Sequence, residues 1–216
     1  MNWESFCRNA DRLLFRQLAN YQHIQQGGVI MSQATMTGVI NGVDVDRLGA
    51  TIQTVQQNTS LATFRFRAKN RWIDGGHNRS TIQSFYGAGQ EDTVRTKPFA
   101  LDADEPPVLL GKDQGANPVE YVLHALAACL TTSLVYHAAA RGIHIESVES
   151  TLEGDLDLQG FLGLSDEIRR GYKEIRVLFL IETDAPAEQL KELTKFSPVH
   201  DIVSNPVPVS IQITTR

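Results

Sequence analysis

Cysteine is scarce in this chain: Cys7 and Cys129 are the only two among 216 residues. Two thiols cannot build a disulfide framework; they fit a reducing compartment or a reactive thiol. An excess of charge of one sign is also lacking. Lys and Arg number 20 against 25 Asp and Glu, a formal net charge of -5, which gives no support for binding nucleic acid. No apolar run approaches the roughly 18 residues that a membrane helix needs. The N-terminus scatters charges and lacks the continuous apolar core of a signal peptide. A cytoplasmic protein with no membrane partner is therefore expected. No Gly-rich loop follows a strand, and the scattered histidines show no metal-site spacing, so no cofactor is expected. What is present is ordinary for a globular protein: 42% hydrophobic and 21% charged residues. The length suits one large domain, with or without an appendage.

The rest is organised around residues 117–142, NPVEYVLHALAACLTTSLVYHAAARG. Pro118 suits a first helical position, because its missing N–H would be unpaired there anyway. Gly142 tolerates the left-handed turn that ends a helix, and Arg141 places a cation at the negative end of the dipole. Between these ends almost every position is apolar or small, which predicts a buried helix. At about 100° per residue, Val122, Ala125, Cys129, Thr132 and Tyr136 share one face. A lone Cys there is either a small core hydrophobe or a functional thiol.

Upstream, Trp3, Cys7, Ala10, Leu14, Leu18 and Tyr21 recur at helical spacing. Residues 1–35 form an N-terminal extension with two open readings. One is a docking helix. The other is an upstream extension of the reading frame, because Gln26-Gly27-Gly28 can be encoded by a ribosome-binding-site sequence just before Met31. Residues 36–60 are a short helical lead-in with Leu48, Ile52 and Val55 inward and Asp44 or Asp46 as its cap. From 61 to 216 the order is three strands, the long helix, two strands, a short helix and a strand. The strands are expected over 61–73, 79–86, 93–101, 143–158 (with a bulge), 175–181 and 207–213. A helical turn capped by Ser165 is expected within 159–172, and the short helix over 186–195. This is an α+β chain with a mostly antiparallel sheet packed on a long central helix.

Asn117-Pro118 before an Ala-rich helix holding Ala127-Ala128-Cys129, followed by Ser197-Pro198-Val199 and Asn205-Pro206-Val207-Pro208-Val209, resembles the OsmC/Ohr family of thiol-dependent hydroperoxide reductases. The resemblance covers about residues 64–215. It implies an intertwined homodimer whose long central helices pack between sheets. It also implies a peroxidatic Cys at Cys129 and an Arg from the N-terminal strands. Arg65, Arg67, Arg71 and Arg79 are the candidates, with Arg71 and Arg79 favoured by the turn between them. Two positions depart from the pattern. Where two-cysteine members carry a resolving Cys, this chain has Ser197. Where the hydroperoxidases carry an Arg-holding Glu, this chain has Val119, with Glu120 one residue on. At helical spacing Glu120 points about 180° away from Cys129, so it is either that orienting acid or a partner of the helix dipole.

Two functions follow. One is a peroxidase that reduces organic or hydrogen peroxide through a sulfenic acid, with peroxide as substrate and an external thiol as reductant. The other is a non-catalytic module of the same fold that binds a small apolar or sulfur-containing molecule between its helices.

Overall fold

The computed structural model describes residues 38–92 and 94–215. The helix expected over residues 3–21 lies outside them.

The described chain opens with a hairpin. β1 (Val39–Ile40) and β2 (Val43–Asp44) pair antiparallel around Asn41-Gly42. Both turn residues have positive φ, 52° and 76°, the backbone that a two-residue hairpin needs and that Asn-Gly supplies at least cost. Helix α1 (Val45–Gln57) follows at once, with Asp44 as its N-cap accepting from the Arg47 N–H. The Asn41 side chain then reaches far along the chain: its Nδ2 donates to the Ile143 carbonyl, and its Oδ1 accepts from the Ile145 N–H.

A three-stranded antiparallel sheet comes next, in the order β3 (Lys69–Asp74), β4 (His77–Ile82), β7 (Phe99–Ala103). Between β4 and β7 runs the short hairpin of β5 (Tyr86–Gly87) and β6 (Gln90–Glu91). The first expected strand is thus shorter than 61–73: Thr59–Ala62 is a 3₁₀ turn, and Arg65 forms an isolated bridge to Tyr86 before β3 begins at Lys69. The expected 79–86 breaks into β4 and β5, and the third strand runs later than expected, to Ala103. β3 is exposed along its whole length in the single chain rather than half-buried.

The central helix is α2 (Pro118–Ala139). Its buried positions, Leu126, Leu130, Leu134 and Ala138, recur every four residues. Leu134 and Ala138 pack with Leu190 and Leu193, joined by Ile143, Ile145, Val148 and Ile181. Ala139 and Val135 meet Ile40, Val43, Val45 and Leu48 instead. The expected all-round burial is absent in one chain: Val122 and Tyr136 remain exposed. By length and composition alone this helix could also cross a membrane, which corrects the expectation that no stretch reaches that threshold. Its abundant Ala and its single formal charge, Glu120, bring this about, and a core helix of a soluble protein passes the same test.

Strands β8 (Ser147–Asp155) and β9 (Glu174–Glu182) pair antiparallel over nine residues in unbroken register. The expected bulge is absent there; the irregularity lies in the β3–β4 pair, between Trp72 and Asp74. Between β8 and β9, α3 (Leu158–Phe161) is capped by Asp157 rather than Ser165. Tyr172 returns to the central helix, its hydroxyl donating to the Val119 carbonyl at 2.8 Å. Helices α4 (Ala187–Thr194) and α5 (Pro198–Ser204) then pack on α2. The strand expected over 207–213 does not form in the single chain. Val207, Val209, Ile211 and Ile213 alternate with Pro208, Ser210 and Gln212 but are all exposed, Ile213 by 85%. Alternation specifies a strand only where a partner edge takes up the backbone groups.

Candidate functional site

Asn117 and Glu120 build the start of α2 as a reciprocal cap. The Asn117 Oδ1 accepts from the Val119 N–H, and the Glu120 carboxylate accepts from the Asn117 N–H at 2.8 Å. This is the capping box of a helix N-terminus, and it gives the Glu120 carboxylate a structural task. Nine residues separate Glu120 from Cys129, about 13 Å along the helix axis. The structure therefore does not bring Glu120 to the thiol.

Cys129 lies on the flank of α2. On one side of it runs the buried row of Leu126, Leu130 and Leu134, and on the other the exposed row of Ala128, Thr132 and Tyr136. The thiol is half-buried and free. Among the described residues, no hydrogen bond or ion pair joins it to a guanidinium.

Arg79 is engaged elsewhere. Its Nε and Nη2 donate to the two carboxylate oxygens of Asp102 at 2.8 and 3.0 Å. His77 Nε2 lies 2.9 Å from the same carboxylate. The Arg79 hydrogen bonds, then that of His77, hold the Asp102 carboxyl below its ordinary value. Asp102 also ties this group to the central helix, because its carbonyl accepts the Tyr121 hydroxyl at 2.6 Å. Tyr121 sits eight residues before Cys129, about 12 Å along the axis. Within one chain, Arg79 thus belongs to the start of α2 and not to the thiol. Arg71 stands directly across from Arg79 on β3 and makes no ion pair among the described residues. Of the other candidates, Arg67 pairs with Glu91 at 2.7 Å, and Arg65 bridges to Tyr86 through its backbone.

Several residues of this region escaped the sequence reading. Asp102 and Asp104 fell in a stretch read as an acidic, Pro-rich loop. Asp102 instead lies on β7, and the buried Asp104 accepts from the backbone N–H groups of Glu105, Lys112 and Gln114, folding that loop. The alternation of Phe99, Leu101 and Ala103 with Asp102 and Asp104 was the available signal. Ser197 was singled out in the sequence for the thiol it lacks, but its structural role was not. It is 1% exposed and caps α5, its hydroxyl accepting from the His200 N–H at 3.2 Å. Beside it Phe196 stacks on the His137 ring at 4.0 Å, with the Arg141 guanidinium 5.6 Å from the Phe196 centroid. Burial, then Arg141, lowers the His137 pKa.

An apolar cavity of about 340 Å³ lies against α1, lined by Thr51, Val55, Leu61 and Phe64 with Arg47 among its walls. It is thus not an opening between the long helices.

The family of OsmC-like proteins matches residues 111–212, the span that holds Cys129, Ser197 and the α2 core. Residues 111–212 match an OsmC-like domain. Among solved structures, an OsmC-like protein from Mycoplasma pneumoniae superposes with a TM-score of 0.50 at 17% identity, covering 66% of this chain and 89% of that one. An organic hydroperoxide resistance protein OsmC from Legionella pneumophila matches at 19% identity and a TM-score of 0.43, over 67% of this chain and 92% of that one. An organic hydroperoxide resistance protein of Bacillus subtilis matches at 20% identity and a TM-score of 0.38, over 65% and 91%. No curated protein matches the chain. The OsmC-like domain keeps the antiparallel strands and long helix expected of that fold.

Proposed function

We propose that the protein is a thiol-dependent peroxidase with Cys129 as its nucleophile. The observation that carries this is the place of Cys129: half-buried but not sealed, on the flank of the central helix of an OsmC-like domain. The thiolate attacks the peroxide O–O bond, forming an S–O bond and releasing an alcohol, or water from hydrogen peroxide, once the leaving oxygen is protonated. The Cys129 sulfenic acid then condenses with an external thiol, releasing water, and a second thiol frees Cys129 by exchange.

Two features extend the proposal. A guanidinium must favour the thiolate, and none among the described residues is bonded to Cys129. A second copy that brings its N-terminal strands across the exposed side of α2 would supply Arg71 or Arg79. Homodimerisation is supported by apolar groups left in water: Val122 and Tyr136 on α2, Trp72 at 69% exposure on β3, and the unpaired Val207–Ile213 stretch. An edge strand of a second copy would take up that stretch.

One observation favours the alternative, a non-catalytic module that binds a small apolar or sulfur-containing molecule. Ser197 occupies the place of a second thiol and serves as a buried helix cap. Intact-mass analysis after one equivalent of organic hydroperoxide, with and without a sulfenate trap, separates the two. One trappable oxygen on Cys129 and faster peroxide consumption than Cys129→Ser are expected of the peroxidase. Equal consumption by wild type and Cys129→Ser leaves the binding module.

A further inference from the structure

The face of β3 and β4 that carries Arg71 and Arg79 has its own chemistry. Partners that stand opposite in an antiparallel pair share a face. Lys69 stands opposite Thr81, and Arg71 opposite Arg79; β7 adds Ala100 and Asp102 to the same two rows. Residues two apart along a strand lie about 7 Å apart, and adjacent strands about 4.8 Å. Lys69, Arg71, Arg79 and Thr81 therefore mark the corners of a small rectangle. They line a groove of about 200 Å³, with Asn70 at its edge.

The charge in this rectangle is not balanced. Like charges directly opposite on a sheet repel, and Asp102 is the one carboxylate in the rows. It takes Nε and Nη2 of Arg79 and leaves Nη1 free of it. Arg71 and Lys69 have no carboxylate partner among the described residues. Three cationic donors and the Thr81 hydroxyl thus converge on one groove with net positive charge. The other face of the sheet carries Trp72, Ile82, Phe99, Leu101 and Ala103 together with the hydrogen-bonded Asn70, Asn78 and Ser80.

We infer that the Lys69–Arg71–Arg79–Thr81 groove is an oxyanion site that takes the phosphoryl group of a small molecule or free phosphate. A tetrahedral group offers three oxygens to donors arriving from different corners, where a carboxylate offers two, and guanidinium edges suit phosphate oxygens. The groove leaves room beside the anion for a small organic remainder. The site shares Arg71 and Arg79 with the guanidinium role proposed above, but binding the oxyanion uses no thiol, so Cys129→Ser should retain it.

The test is calorimetric titration of the full chain with inorganic phosphate and, separately, glycerol phosphate, against chloride at matched ionic strength. It is run on wild type and on Cys129→Ser. Saturable binding of phosphate but not chloride by both is expected. Arg71→Ala should weaken it by about tenfold or more, the scale of one lost charge-assisted hydrogen bond. Lys69→Ala should weaken it less, and Arg170→Ala, on a remote surface ion pair, not at all. Tighter binding of glycerol phosphate identifies a phosphomonoester as the ligand, and equal binding identifies the free oxyanion. Absence of binding beyond chloride, or binding that survives both Arg71→Ala and Lys69→Ala, overturns the site. A binding result in Cys129→Ser is read without any peroxide, so the failure of either reading is visible without the other.

Discussion

Replacing Ser197 by Ala should destabilise the fold even though the side chain is small and uncharged. The hydroxyl is the N-cap of α5, accepting from the His200 N–H at 3.2 Å, and the residue is almost wholly shielded from water. Ala keeps the volume and removes the acceptor. Loss of an N-cap costs roughly 1 kcal/mol, and an N–H left partly buried without its partner raises that to about 1–2 kcal/mol. For a chain of this size each kcal/mol moves the melting midpoint by about 2–4 °C, so a fall of roughly 2–8 °C is expected. The assay is thermal unfolding followed by circular dichroism, at one protein concentration, because assembly would make the midpoint concentration-dependent. Ser197→Cys supplies the internal control. It is close in shape but its sulfur is a weak acceptor, so its midpoint should fall between wild type and Ala. An Ala variant that melts with wild type would refute the capping account, and α5 would then be held by its packing on α2 alone.

Further outcomes follow from the same geometry. Sedimentation at low micromolar concentration should give a dimer, because burying the exposed apolar groups of α2, β3 and residues 207–213 needs a second copy; a folded monomer there would contradict it. The pH dependence has a defined sign. The Asp102 carboxyl is held below its ordinary value of 3.8 chiefly by Arg79. It therefore contributes stability that is present above that value and is lost as pH falls through the lowered one. Melting midpoints measured from pH 7 downwards should drop on the acid side of about pH 4, and Asp102→Asn should flatten that drop while lowering the midpoint at neutral pH; an unchanged acid limb would show that the Arg79–Asp102 pair contributes nothing measurable.

The α+β order, the central helix with Pro118 first and Gly142 beyond its end, and the place of Cys129 on that helix all follow from local rules. Capping, periodicity and breakers act within a few residues, so they can be read along the chain. Long-range pairing cannot. Residues 207–213 have the alternation of a strand, yet among the described residues no strand pairs with them, so the pattern alone left the outcome open. The site divided in the same way. A Cys in an Ala-rich helix after Asn-Pro is visible in one dimension, but the fate of each Arg is a matter of register. One residue of slip between β3, β4 and β7 would turn Arg79 away from Asp102 and Arg71 away from Arg79, because the side-chain period of a strand is two. Only the folded sheet decided that Asp102 holds Arg79 beside Tyr121. The same sheet left Arg71 and Lys69 facing a groove without a carboxylate of their own.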